Sequence, residues 1–197
     1  MTDEEIQMEI SKTVKAVSNI PGWLWPREVG ALFRQIRLSK LHAEIGTFCG
    51  KSLYVAAAAM NGGKIIAIDP LSTNQFSVQS ELVPDAEWNR EVLNSTIHAI
   101  HRNFDTKVEW WEMTSISAIR KAQQNEFTFD SCFIDGSHNR AECEADIVGW
   151  LSLVNPGGRI LGHDYFPNNM GVITAVNTVF KENFSLLPET RIWVHYK

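Results

Sequence analysis

Long hydrophobic runs are absent from this chain of 197 residues. No stretch reaches the roughly 18 consecutive apolar residues that a membrane-spanning helix needs. The first ten residues, MTDEEIQMEI, are acidic where a secretory signal peptide is basic, and they contain no apolar segment. We therefore expect a soluble protein that lies in the cytoplasm and has no membrane partner.

Grouped basic residues and cysteines are also scarce. The formal net charge is −5 and the lysines and arginines form no cluster. We expect no nucleic-acid partner, because neutralising a phosphate backbone takes grouped cations. The three cysteines, Cys49, Cys132 and Cys143, fit no zinc-binding spacing. We expect reduced, buried thiols and no disulfide framework.

The remaining composition, 44% apolar and 21% charged, is that of a globular protein. The length predicts one domain, which we divide into a helical preface or lid (1–40) and a core (41–197). The preface contains an amphipathic helix and a second helix at 28–38, separated by IPGWLWP. The apolar residues of the first helix are Ile6, Ile10, Val14 and Val17.

Strands alternate with helices from residue 41 onward. The predicted strands are 41–46, 64–69, 107–113, 127–135 and 159–164, followed by two short strands around Pro188. The predicted helices are 51–60, 86–103, 114–124, 139–154 and 171–183. Such alternation requires right-handed crossovers and a parallel sheet covered on both faces. The predicted fold class is a doubly wound, Rossmann-like α/β fold, with a mostly parallel seven-stranded sheet and an antiparallel C-terminal strand.

Ligands of such sheets bind outside the carboxyl ends of the strands. Gly46 and Gly50 lie in the first strand-to-helix turn, where backbone N–H groups can approach a ligand. Asp69 ends the second strand, at the position where a carboxylate can accept hydrogen bonds from both ribose hydroxyls. These three residues predict a nucleoside ligand.

A dinucleotide ligand is disfavoured by the same turn. In the G-x-G-x-x-G pattern counted from Gly46, the second and third glycines would be Phe48 and Lys51. With side chains at these two positions, a pyrophosphate could not approach the backbone as closely as it does in a turn that has all three glycines. Two alternatives nevertheless remain open: a nicotinamide-dependent oxidoreductase, and a non-catalytic nucleoside-binding or scaffold protein of the same fold.

Five motifs occur in order between residues 28 and 197: EIGTFCG, IAIDP, FIDGSH, NPGGRILGHDY and GVITAVNTVF. With them the chain resembles the class I S-adenosylmethionine-dependent methyltransferases. It looks most like the small-molecule O-methyltransferase branch that includes macrocin-type enzymes and cephalosporin-hydroxylase-like proteins. The resemblance implies methylation of a small-molecule or sugar hydroxyl, so the expected partner is a small-molecule acceptor. A second copy of the chain, in a homo-oligomer, is the other partner that we consider.

The resemblance also implies two groups of site residues. Those around S-adenosylmethionine are Glu44, Gly46, Gly50, Asp69, Ser115 and Asp135. Those that face the methyl group and the acceptor are Asp135, His138 and Asp164. Glu44 then has a reason to end an apolar strand, because the ammonium and the sulfonium of the cofactor are both cationic and a carboxylate there offsets their charge.

Two interpretations of how the acceptor loses its proton stay open. Asp135 and Asp164 can hold Mg²⁺ or another divalent cation, which lowers the hydroxyl pKa. Alternatively His138 is a general base. Repulsion between two acidic strand ends favours the cation, whereas Tyr165 stands where metal-dependent relatives commonly carry a further ligand. His163 is either part of this cluster or a core residue.

Irregular segments are expected to line the acceptor pocket, because they can fold over the strand ends. These segments are the preface, residues 70–85 and the DYFPNNM loop. Their aromatic residues offer walls for a sugar or an aromatic acceptor: Trp23, Trp25, Tyr165 and Phe166. The tryptophans alternatively dock the preface on the core.

Overall fold

Two helices precede the sheet in the computed structural model, which describes residues 1–71 and 85–197. They are α1 (Asp3–Val17) and α2 (Pro26–Ile36). Thr2 and Glu5 form the capping box that begins α1, and the predicted apolar stripe is buried at Ile6, Ile10 and Val17. The helix predicted at 28–38 is present as α2, but it begins and ends two residues earlier. Its start is explained by Pro26, which occupies the first turn.

Seven strands form one sheet, in the order β3-β2-β1-β4-β5-β7-β6. The strands are β1 (Leu41–Ile45), β2 (Lys64–Ile68), β3 (Lys107–Trp111), β4 (Phe129–Ile134), β5 (Val154–Gly162), β6 (Ser185–Leu186) and β7 (Trp193–Tyr196). The first five strands pair in parallel, and β7 runs antiparallel to both β5 and β6. The predicted fold class is confirmed. The strand order reverses between β1 and β4, which is where ligands of doubly wound sheets bind.

Helices connect the strands on both sides of the sheet. They are α3 (Lys51–Met60), α4 (Ala86–Asn103), α5 (Ser115–Gln124), α6 (Arg140–Leu153) and α7 (Met170–Phe180). The bounds of α4 are those predicted, and the Asp85 side chain caps it by accepting from the Trp88 N–H at 2.7 Å. Asn139 caps α6 by accepting from the N–H groups of Ala141 and Glu142. None of these helices combines the length and the apolar character of a membrane span within the described parts of the chain.

The prediction for β5 was wrong at its first residues. The strand was expected to start at 159, with four residues between it and a helix ending at 154, but β5 begins at Val154, directly after α6. Val154 pairs with Phe129, and the register then shifts so that Arg159 pairs with Ser131. The bulge absorbs the extra residues, and Gly157, at φ +80°, supplies the left-handed backbone that it contains.

Two apolar clusters cover the two faces of the sheet. One contains α1, α2 and α3 residues such as Ile10, Phe33 and Leu53, and the other contains α5 and α6 residues such as Ile119 and Trp150. All three cysteines are free and buried, as predicted. The preface thus contributes to the core, while the carboxyl ends of β1, β2, β4 and β5 are left to form a site.

Candidate active site

The turn between β1 and α3 is held in a conformation that only glycine accommodates. Gly46 and Gly50 have φ values of +85° and +87°. A Cβ atom at Gly46 would lie 2.0 Å from the carbonyl oxygen of Asp135, and one at Gly50 would lie 2.9 Å from Cγ2 of Thr96. Close packing of β1 against the end of β4 therefore requires Gly46 before any ligand is considered.

Asp69 joins the end of β2 to this turn. Its Oδ2 accepts a hydrogen bond from the Phe48 N–H at 2.7 Å, and its Oδ1 accepts one from the Leu71 N–H at 2.7 Å. Burial raises the pKa of Asp69, while the two backbone hydrogen bonds oppose that rise. Each carboxylate oxygen has a further lone pair, so the carboxylate can accept more hydrogen bonds.

Glu44 is a fully buried carboxyl group at the end of β1. The Ser52 hydroxyl, from the first turn of α3, donates to its Oε1 at 3.1 Å. Its Oε2 has no hydrogen-bond partner among the described residues. Burial raises the pKa of Glu44 well above its ordinary value, and the charges of Asp135 and Asp69 add to the rise. A buried acceptor without a donor is costly, so this site favours a cationic donor from outside the chain.

The ends of β4 and β5 bring the predicted catalytic residues together. Nε2 of His138 lies 2.8 Å from Oδ2 of Asp164. Nδ1 of His163 lies 3.5 Å from Oδ1 of Asp135 and 3.5 Å from Oδ1 of Asp164. The hydrogen bond with Asp164 raises the pKa of His138. Burial opposes ionisation of Asp164, but its interactions with His138 and His163 hold its pKa below the usual range.

His163 is the central member of this cluster and not an isolated core residue. Its side chain is almost completely buried between carboxylates on both of its nitrogens. Burial alone would lower the pKa of His163, but the charge of Asp135 and the contacts with Asp164 and Glu28 raise it to about 12. Positive charge on His163 offsets the repulsion that the sequence predicted between Asp135 and Asp164.

Glu28, from α2 in the preface, was not predicted to belong to the site. Its Oε1 lies 3.2 Å from Nε2 of His163 and accepts from the Arg191 N–H at 3.1 Å. Its Oε2 accepts from the Trp25 N–H at 3.0 Å. Burial opposes ionisation, but the contacts with His163 and these backbone groups lower the pKa of Glu28. A signal existed in the sequence: Glu28 precedes Leu32 and Ile36 at four-residue spacing, which puts a carboxylate on the apolar stripe of the helix.

Ser115 begins α5, and its side chain is engaged by α6. The indole Nε1–H of Trp150 donates to its hydroxyl at 2.9 Å. Asp146, also on α6, interacts with the same hydroxyl, although burial raises the Asp146 pKa to about 6. Ser115 is therefore fixed at the side of the sheet that α6 covers, and its proximity to adenine stays a prediction.

The two tryptophans of the preface each contact one residue of the core and are otherwise largely open to solvent. Trp23 and Trp25 are 51% and 60% exposed. Trp23 stacks on Phe48 at 5.6 Å between ring centroids. A cavity of about 290 Å³ lies there, and it is lined by Ser18, Asn19, Ile20, Pro21, Gly22, Trp23, Phe48 and Lys51. The predicted pocket segment 70–85 lies almost entirely outside the described residues.

Solved structures with the same fold include three O-methyltransferases. The O-methyltransferase from Bacillus cereus, solved with S-adenosylhomocysteine (SAH), is 18% identical with a TM-score of 0.62, over 100% of this chain and 92% of that one. CalS11, a TDP-rhamnose 3′-O-methyltransferase of calicheamicin biosynthesis, is 16% identical with a TM-score of 0.60, over 100% and 95%. TomG from Streptomyces achromogenes, solved with S-adenosylmethionine, is 13% identical with a TM-score of 0.59, over 100% and 91%.

A family model described as a methyltransferase domain matches residues 43–165. The matched segment runs from β1 past the end of β5 and so contains every strand end described above. Together with the shared fold, this match confirms the resemblance to the S-adenosylmethionine-dependent methyltransferases. The chain belongs to the methyltransferase domain family.

Proposed function

We propose that this protein transfers a methyl group from S-adenosylmethionine to a hydroxyl oxygen of a small molecule, sugars included. The observation that supports this function best is the unpaired Oε2 of Glu44, buried beside the Gly46–Gly50 turn. The methionine end of the cofactor carries an ammonium group that matches it in charge and in hydrogen-bonding capacity. The B. cereus enzyme and TomG were solved with SAH and with S-adenosylmethionine.

The other residues proposed to bind the cofactor lie at successive strand ends, and each faces a different part of it. Gly46 and Gly50 keep the turn open on the side of the methionine moiety, and Asp69 accepts from the ribose hydroxyls through its free lone pairs. Ser115 lies on the side proposed for adenine. Asp135, at the end of β4, stands between the cofactor and the acceptor. Residues 1–40 cover this region as a lid, and residues 41–197 form the cofactor-binding core.

His138 removes the acceptor proton in the mechanism that we favour. The cofactor supplies a methyl group already activated by its sulfonium, so the chain must place the acceptor oxygen in line and take its proton. Asp164 accepts the Nε2 proton of His138 at 2.8 Å. This fixes the tautomer whose Nδ1 is free to act as the base. Nδ1 has no hydrogen-bond partner among the residues that the structure describes.

A divalent cation is the second candidate for activating the acceptor. Asp135, His163 and Asp164 each offer a ligand atom, and these atoms lie within 4.8 Å of one another. The residues fit a cation, because Glu28 faces the far nitrogen of His163 as an orienting carboxylate commonly does in metal sites. A bound cation would lower the pKa of the acceptor hydroxyl. We place the base first because His138 already contacts Asp164 at 2.8 Å in a geometry that suits proton transfer.

Thermal stability with different ligands tests the proposed function. Unfolding is followed by differential scanning fluorimetry with SAH, with NAD or with buffer alone. We expect SAH at 100 times its dissociation constant to stabilise the protein by about 2.7 kcal/mol, and NAD to leave it unchanged. Stabilisation by NAD alone would support an oxidoreductase, and stabilisation by neither ligand would support a scaffold protein.

A further inference from the structure

Arg191 lies at the edge of the candidate active site with its guanidinium close to two aromatic rings. Its Cζ lies 4.2 Å from the centroid of the Phe166 ring and 5.6 Å from that of Trp25. Phe166 follows Asp164 in the DYFPNNM loop, and Trp25 precedes α2 in the preface. Both rings lie within cation–π range of the guanidinium.

The backbone contacts of this group connect it to the acidic cluster. The Arg191 N–H donates to Oε1 of Glu28 at 3.1 Å, the same oxygen that faces His163. The Arg191 carbonyl accepts from the N–H of Tyr165 at 3.0 Å. The Trp25 N–H donates to the other oxygen of Glu28. One buried carboxylate therefore fixes both Trp25 and Arg191 beside the residues that are proposed to deprotonate the acceptor.

The charge of Arg191 is not neutralised within the described chain. Its guanidinium makes no hydrogen bond and no ion pair with any described residue. Glu189, two residues earlier in the chain, pairs with Arg27, and Glu28, which accepts from the Arg191 backbone, pairs with His163. A half-buried arginine with free donors and aromatic walls is suited to a planar, bidentate interaction with a carboxylate or a phosphate.

We propose that Arg191, which contacts the rings of Trp25 and Phe166, binds an anionic group, a carboxylate or a phosphate, on the methyl acceptor. This inference rests on the proposed function and names the class of its substrate. The acidic cluster of Glu28, Asp135 and Asp164 would repel such an acceptor, and Arg191 supplies the local positive charge that lets it dock with its hydroxyl near His138. CalS11 is described as acting on TDP-rhamnose, an acceptor that carries phosphate groups.

The test is calorimetric titration of the full chain, saturated with SAH, with three matched probes: phenyl phosphate, benzoate and the neutral benzyl alcohol. We expect one or both anions to bind at least about tenfold more tightly than benzyl alcohol, the range of a charge-assisted pair. Tighter phenyl phosphate assigns a phosphate, and tighter benzoate assigns a carboxylate. Arg191→Gln should abolish the difference, and Arg191→Lys should retain only part of it.

Arg27→Gln is the matched control, because Arg27 is an exposed arginine of α2 that is already paired with Glu189. It should leave the preference for anions unchanged. The proposal is overturned if wild type does not distinguish the probes, or if Arg191→Gln keeps the preference, or if Arg27→Gln removes it equally. SAH affinity is measured on every variant: its retention shows that Arg191→Gln is folded, and failure of wild type to bind SAH would refute the proposed function itself.

Discussion

Replacing Glu44 with glutamine gives opposite effects on the free protein and on its complex. Glu44 is completely buried, and only one of its oxygens is hydrogen-bonded among the described residues. Burial raises its pKa well above the usual value, so its carboxylate form is disfavoured in the free protein. Glutamine has the same shape and no charge. We therefore expect Glu44→Gln to unfold at an equal or higher temperature than wild type.

The pH dependence of stability has a definite sign. Because the folded-state pKa of Glu44 is raised, the stability that its protonated form contributes is complete below pH 4.5, the pKa of an unperturbed glutamate. That contribution is lost as the pH rises through the higher folded-state value. The free wild type should therefore lose stability over this range relative to Glu44→Gln, and thermal melts in a pH series measure the difference.

Cofactor affinity should fall in the same variant. Loss of a hydrogen bond between charged groups costs roughly 1.5 to 3 kcal/mol, so the dissociation constant of SAH should rise by about 10- to 150-fold. 5′-Methylthioadenosine is the matched control, since it keeps the nucleoside and lacks the ammonium. Its affinity should not change. Calorimetry that finds SAH affinity intact, or both ligands weakened equally, would refute the assignment of Glu44 to the ammonium.

The other predictions concern the ribose, the lid and the base. Asp69→Ala should weaken SAH binding by roughly 1.5 to 3 kcal/mol, because it removes charge-assisted hydrogen bonds, and calorimetry with unchanged affinity would exclude Asp69. Deleting residues 1–25 should lower stability, because Ile6, Ile10 and Val17 pack in the core; a truncated protein that still folds should bind SAH and lose acceptor turnover, whereas equal loss of both in a folded protein would contradict the lid. His138→Ala should lower kcat by on the order of 10²-fold, and activity should persist in EDTA; loss of activity in EDTA with recovery in Mn²⁺ would favour the cation instead. The rate should rise with pH through the raised pKa of His138, and Asp164→Asn should move that midpoint to lower pH.

Local sequence patterns were sufficient to predict the positions of most helices and strands. The bounds of α4 could be predicted because Asp85 provides its cap and its apolar residues keep helical spacing. The start of β5 could not, because pairing between Val154 and Phe129 overrides the turn preference of NPGG. That pairing depends on the neighbouring strand and leaves no local trace in the sequence.

The residues of the candidate site, too, could be predicted only in part. Asp135, His138 and Asp164 could be brought together from the sequence, since parallel strands end at one edge of a sheet. Glu28 and Arg191 are far from them in the chain, and only the packing of α2 and the segment before β7 puts them there. The central position of His163 could be recognised only in the structure, because the sequence did not show that carboxylates face both of its nitrogens.

A crystal structure of the protein with SAH tests the central claim most directly. We expect the SAH ammonium within about 3.2 Å of Oε2 of Glu44, which is the limit of an N–H···O hydrogen bond, and the ribose hydroxyls within about the same distance of Asp69. SAH bound elsewhere, or bound with its ammonium away from Glu44, would contradict it.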